Sequence, residues 1–339
     1  MKRILFLVLV LLFSAIPFTC FAASQAAGTV TMEFDLSGQP AGQEVKLWIP
    51  YPLSDADQLI TDIAVSGDYA EAAVYSDQKQ STPMLFARWN ASTGEVSRKL
   101  VFTFHAVRQE VLKKDLPTVE VAWSPADYKE YLVGTSLGPI DGSVKELSDK
   151  IVEGKSGVYA KAKAIYDWIC ENMYRDPDTK GCGPGDVCAL IAKPGGKCTD
   201  IHSVFVSLCR AAGVPAREIF GIRLGKKDTE DITKWQHCWA EFFLPGFGWV
   251  PVDPADVRKK MLVENLKLAD AKTKEYREYF WGGWDAYRVK LAVGRDLVLT
   301  PKQEGPPLNT FGYPYAEVDG KPLDWLAPEN FRYTVTYKK

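Results

Sequence analysis

The 339 residues carry 41 Lys and Arg against 43 Asp and Glu, a net charge of −2. That balance argues against nucleic acid or an anionic membrane surface as a partner. No internal repeat and no low-complexity tail interrupts the chain, which leaves a globular protein whose organisation is read from its periodicities.

Residues 1–23 read as a targeting segment: Lys2 and Arg3, an apolar run over 4–18, then small residues. Cleavage after Ala22 or Ala26 satisfies the small-x-small rule. Ser14 and Pro17 interrupt the run, and it falls short of the ~20 residues of a spanning helix. The mature chain is therefore expected to be exported, periplasmic or extracellular, with no stable membrane insertion. Residues 24–125 contain seven short alternating runs, at 30–36, 44–49, 60–65, 72–75, 84–89, 99–107 and 119–123. Gly, Pro, Asp and Ser separate them, the pattern of a β-sandwich domain. Residues 126–142 form a linker, and helices are predicted over 144–153 and 158–173. The second helix puts Ala162, Ile165, Tyr166, Ile169 and Cys170 on one face.

A turn-rich loop from Gly181 to Cys188 precedes the most informative stretch, Gly195-Gly196-Lys197-Cys198-Thr199-Asp200. After it Ile201, Val204, Phe205, Leu208, Cys209 and Ala212 recur at helical spacing, and Gly213 and Pro215 stop the helix. Cys198 thus falls in the first helical turn. There the helix terminus and Lys197 lower a thiol pKa, and the Cys198 N–H is a free donor for an oxyanion. Gly196 leaves room for close approach by a substrate. Residues 237–243 read as a strand with His237 and Trp239 on one face and Cys238 on the other. A turn at Pro245-Gly246 and a return strand to Asp253 make a hairpin that sets His237 nearly opposite Asp253. Thiol, imidazole and carboxylate, each in a suitable local element, make a nucleophile, its base and the group that orients the base.

Six cysteines remain once Cys20 leaves with the targeting segment. A disulfide is expected between Cys182 and Cys188, because a Gly/Pro loop can bring them within ~6 Å. Cys238 points away from His237 and should not touch Cys198. That alternation also argues against a metal held by both His237 and Cys238, and no CxxC or HExxH occurs. No cofactor is expected. His202, one turn after Cys198, flanks the site or is solvated. A Lys-rich helix follows over 258–279, with Leu262, Leu266 and Ala269 as its apolar side. In Trp281-Gly282-Gly283-Trp284, the aromatics either wall a cleft or pack domains together. Gly196, Trp239 and Trp281 are the substrate-binding candidates. Strands close the chain over 289–293, 296–300, 315–318 and 333–337, on the core or the sandwich, without chemistry of their own.

These motifs resemble the transglutaminase-like superfamily of papain-related thiol enzymes, and in particular its exported bacterial cysteine peptidases. The resemblance rests on Gly195 to Asp200 with Ala211 to Arg217, on His237 to Glu241 and on Gly248 to Asp253. It is specific over about 140–260 and loose elsewhere. It implies an α+β fold: a papain/transglutaminase-like core over 143–260 preceded by an all-β sandwich, with residues 261–339 packing on the core. It further implies Cys198, His237 and Asp253 as catalytic residues and a peptide or protein as substrate. Hydrolysis is the first expectation, transfer to an amine the second, and a catalytically silent binding module the third. The family's additional side-chain oxyanion donor has no clear counterpart; Tyr174 and Asn172 are the candidates.

Overall fold

A computed structural model describes residues 24–93 and 97–339; the targeting segment expected over 1–23 lies outside them. The chain opens with β1 (Gln25–Asp35), β2 (Val45–Pro50), β3 (Gln58–Gly67), β4 (Glu71–Ser76), β5 (Pro83–Trp89), β6 (Lys99–Gln109) and β7 (Val111–Leu112). The predicted strand at 119–123 does not form; a 3-10 turn, Pro125–Tyr131, follows that segment. Next come α1 (Gly142–Ile151), α2 (Gly157–Asn172), β8 (Tyr174–Arg175), α3 (Val187–Ala192), β9 (Gly195–Gly196) and α4 (Cys198–Ala211). The central strands are β10 (Ala216–Arg223), β11 (Thr229–Asp231), β12 (Gln236–Leu244) and β13 (Gly248–Val252). Then follow α5 (Pro254–Val263), α6 (Ala271–Phe280), β14 (Gly283–Trp284), β15 (Arg288–Val293), β16 (Tyr315–Val318), β17 (Lys321–Pro322) and β18 (Arg332–Lys338). The fold is α+β.

Two five-stranded sheets form the sandwich, in the orders β11-β18-β1-β6-β3 and β17-β16-β2-β5-β4. Both are completed by strands from the far end of the chain. β18 lies between β1 and β11, and β16 lies beside β2. Residues 24–125 therefore supply β1-β6-β3 of one sheet and β2-β5-β4 of the other but complete neither. The central strands of the second sheet, β2 and β5, are buried on both faces. From β2, Val45, Leu47 and Ile49 join the sandwich interior, while Trp48 turns to the helical core with Met84 and Phe86 of β5. This explains why β2 reads as a nearly continuous apolar run instead of an alternation.

The third sheet, β13-β12-β10-β15, carries α4 on one face. α1, α2, α3 and α5 also pack against α4, so its residues are buried all round from Cys198 to Arg210. The one-sided stripe understated this, because Thr199, Asp200, His202, Ser203, Ser207 and Arg210 are buried polar groups that hydropathy assigns to solvent. α2 buries the face its spacing predicts. The helix expected over 258–279 is two helices, broken at Asn265, whose φ of 52° is left-handed. The strand expected at 296–300 is reduced to a bridge between Leu297 and Leu308.

Candidate active site

Cys198 takes the first position of α4 because the turn before it is unusually tight. Gly196 lies against the Asp200 side chain, where a Cβ would collide with it. The Asp200 carboxylate accepts from the Lys197 N–H at 2.9 Å and the Gly185 N–H at 2.8 Å. It thereby caps the helix and ties down the preceding loop. Among the described residues no backbone or side-chain oxygen accepts from the Cys198 N–H. Gly196 is thus a packing residue and does not wall the cleft.

Three thiols meet at this point. The Sγ atoms of Cys182, Cys198 and Cys238 lie within 4.8 Å of one another, and all three residues are buried. The Tyr313 hydroxyl donates to Cys182 Sγ at 3.2 Å, and Thr199 Oγ1 lies 3.2 Å from Cys238 Sγ. Two sequence expectations are corrected here. Cys182 and Cys188 do not form a disulfide, because Cys182 turns inward to Cys198 while Cys188 is an exposed residue of α3. Cys238 does approach Cys198, because its face of β12 is the one on which α4 packs. The cluster favours one thiolate. Hydrogen bonding from Cys182, then from Cys238 and His237, holds the Cys198 thiol well below its ordinary pKa against the effect of burial. The converse holds for the neighbours. Hydrogen bonding with Cys198 pushes Cys182 up, and burial pushes Cys238 up.

His237, near the start of β12, is buried and lines the same cleft as Cys198. Its Nε2 lies 2.7 Å from Asp253 Oδ2. An ionised carboxylate only accepts, so Nε2 carries the proton and Nδ1 keeps a lone pair; Arg288 Nη1, 3.2 Å from the same Nε2, can only donate and adds no bond to it. The hairpin register is two residues away from the expected one. Ala240 pairs with Val252, which puts Asp253 across from Trp239 instead of His237. A shift of two preserves the face, so the contact survives. Asp253 reaches it from the position capping α5, where its Oδ1 accepts from Asp256 N at 2.7 Å.

The carboxylate is more heavily committed than the sequence suggested. Arg288, fully buried on β15, donates to the same Asp253 oxygen and to Asp256 at 2.7 Å and Asp285 at 3.1 Å. Arg223 donates to Asp256 at 2.5 Å. His202 is also fully buried, with Nε2 3.2 Å from Asp253 Oδ1, so it is part of this cluster and not solvated. Burial alone would raise Asp253; the Arg288 guanidinium, with His237, more than offsets it and keeps the carboxyl well below its usual range. Asp256 is held down in the same way, mainly by Arg223 against burial. Neither Arg288 nor His202 was assigned this role from sequence. Arg288 begins a strand whose partner could not be known, and His202 shares Cys198's helix face only once the helix is known to be enclosed.

Among the described residues two groupings bring side chains close enough to share a cation: the three thiols, and His237 with Asp253 and Asp256. In the second, the Arg288 guanidinium already supplies the positive charge.

The cleft over Cys198 and His237 has a volume of about 950 Å³. One wall comes from Tyr313, Trp325, Phe331 and Tyr333, so the C-terminal stretch contributes to the site. Trp281 does not. It is buried, stacks on Phe242 with centroids 5.1 Å apart and packs on Tyr166. Trp239 is fully buried against Trp284 and faces a separate cavity of about 200 Å³. Both are packing residues because each sits under a sheet or helix, away from the strand end where the cleft opens. Tyr174 packs over Gly195 and Asn172 bonds back to Trp168 O, so neither candidate oxyanion donor lines the cleft.

A family model described as the transglutaminase-like superfamily matches residues 145–254. An uncharacterized protein of Haemophilus influenzae is 39% identical over 334 residues, covering 91% of this chain and 90% of that protein. A protein-glutamine gamma-glutamyltransferase of Pseudomonas aeruginosa is 24% identical over 217 residues, covering 59% of this chain and 32% of that protein. A solved structure of a candidate cysteine protease from Cytophaga hutchinsonii has the same fold, with a TM-score of 0.54 at 16% identity, covering 94% of this chain and 99% of that one. No helix of the described residues is long and apolar enough to cross a membrane.

Proposed function

Because the chain belongs to the transglutaminase-like superfamily, we propose that it is a thiol enzyme that cleaves amide bonds of peptides or proteins by acyl transfer, with water as the acceptor. One observation carries the reading: Cys198, first residue of α4 and one of three buried thiols whose Sγ atoms lie within 4.8 Å, lines the same cleft as His237, whose Nε2 is bonded to the buried Asp253 carboxylate.

The Cys198 thiolate attacks the amide carbon, and the developing oxyanion lies at the Cys198 N–H, where the N-terminus of α4 adds a favourable dipole. His237, protonated on Nδ1 after taking the thiol proton, gives that proton to the leaving amine as the C–N bond breaks. A thioester with Cys198 remains. His237 then removes a proton from water, which attacks the thioester and releases the acid and the thiol. Asp253 keeps Nε2 protonated and stabilises the imidazolium throughout. The expected targeting segment puts this activity outside the cytoplasm. Transfer of the acyl group to an amine is the second reading, favoured by the similarity to the P. aeruginosa gamma-glutamyltransferase; it shares every step up to the thioester.

A mass spectrum after limiting treatment with a thiol-reactive probe tests the reading, wild type beside His237→Ala. Rapid labelling confined to Cys198 and slowed in the variant is expected. Slow labelling spread over several cysteines would remove the enzyme reading and leave a binding module. Peptide turnover with and without an added amine then separates hydrolysis from transfer.

A further inference from the structure

The cleft differs in charge from the molecule that contains it. Arg175, Lys180, Lys197, Lys234 and Lys259 all line it. Arg223 lines it too, but is engaged by Asp256 and Asp285. None of the first five is in an ion pair among the described residues. Against them, among the described residues, the cleft presents the carboxylates of Asp324 and Glu329 and the Cys198 thiol itself, and Asp324 already accepts from the Leu326 N–H at 2.9 Å. The whole chain is slightly acidic, at −2, so this surplus is local.

The cations come from separate parts of the chain. Arg175 is on β8, Lys180 lies in the loop after it, and Lys197 caps α4. Lys234 precedes β12 and Lys259 is on α5. They converge on the cleft from separate segments instead of lying along one solvated helix face. Desolvation and the like charges of Arg223 and Arg175 push the Lys259 ammonium below its ordinary pKa. Unpaired charges of one sign gathered over a concave, partly desolvated wall raise the local concentration of ligands of the other sign. At about 950 Å³, and with Trp235, Trp325 and Phe331 among its walls, the cleft is sized for several residues of a chain and not for a small acid.

We propose that the acyl donor is an acidic peptide, a polypeptide segment whose carboxylates flank the amide presented to Cys198. The inference rests on the acyl-transfer reading for its chemistry, but its charge selectivity can be measured without turnover. The chain carrying Cys198→Ala is titrated with two labelled peptides of matched sequence, one with Glu and one with Gln at the same positions. The acidic peptide should bind about tenfold more tightly at low ionic strength, and the difference should shrink severalfold in about 0.5 M salt. Lys180→Glu combined with Lys234→Glu, both exposed positions, should abolish the preference while leaving thermal unfolding unchanged. Equal affinity for the two peptides, a preference that survives the double substitution, or no saturable binding of the acidic peptide up to about millimolar concentration would each overturn the inference. Charge-selective binding of an acidic peptide that acylates Cys198 of the unsubstituted protein but is not hydrolysed would leave it standing and remove the hydrolytic reading instead; charge-selective binding with no acylation of Cys198 would overturn it.

Discussion

Cys182 is the residue whose removal most directly tests the thiol cluster, because its hydrogen bond is the largest influence lowering the Cys198 pKa. Cys182→Ala should move the midpoint of the pH–alkylation profile of Cys198 upward and slow labelling near neutral pH by a few-fold. An unchanged profile would mean that the helix terminus and His237 suffice. Arg288 is tested by stability. Replacing it with Met leaves Asp253, Asp256 and Asp285 without their shared cation, and breaking a buried pair costs roughly 3–5 kcal/mol. A corresponding fall in thermal midpoint is expected, without rescue by Lys, which cannot reproduce the forked contacts. Asp253 also sets an acid limit. Its folded-state pKa is depressed, so its contribution is fully present above the unfolded carboxylate value of about 3.9 and is lost as pH falls through the lower folded value. Denaturation midpoints followed from about pH 5 to about pH 2 should therefore drop in the wild type and drop less in Arg288→Met. At this scale the place of Cys198 in the first turn of α4 and the meeting of His237 with Asp253 were legible because each stands in a recognisable local element. Cys182, His202 and Arg288 were not, because their neighbours come from segments far away in sequence.

At the scale of elements, α4 is held by the Asp200 cap and by the space that Gly196 leaves for it. Asp200→Ala frees the Lys197 and Gly185 N–H groups and should cost roughly 1–2 kcal/mol. Gly196→Ala forces a methyl into the cap and should cost roughly 1–3 kcal/mol. In both, loss of Cys198 labelling should exceed the loss of helix seen by circular dichroism, since only the first turn is displaced. α4 itself was legible from its 3.6-residue period and its Gly-x-Pro stop. The β12–β13 hairpin was legible in parity but not in register, because Phe247 and Gly248 shift the turn by one residue, which moves the pairing by two. The break between α5 and α6 was hidden by continuous Lys-rich sequence, which has good helix propensity on either side of Asn265.

At the scale of the molecule, the sandwich and the transglutaminase-like core are not consecutive beads. β16 and β18 complete sheets begun some three hundred residues earlier, and the segment between β17 and β18 walls the cleft. A fragment of residues 24–125 should consequently fail to fold cooperatively by thermal or denaturant unfolding, and a chain truncated before Asp324 should lose both solubility and Cys198 labelling. A stable, cooperative N-terminal fragment would restore the independent sandwich domain that composition suggests. The β character of both ends was legible from alternation. Their pairing with each other was not, because alternation reports which face of a strand is apolar and carries no information about its partner.

The pairing of Thr29 with Lys338 also bears on how the chain reaches its final form. β1 and β6 can meet early, but the other edge of β1 stays open until the last strand has been made. Contacts of such long sequence separation slow folding, and an open strand edge in the interval is a template for intermolecular pairing. Refolding from denaturant should accordingly show a slow phase that loses yield as protein concentration rises, with Cys198 reactivity recovered only in that phase, when the cleft wall ahead of β18 arrives together with the strand.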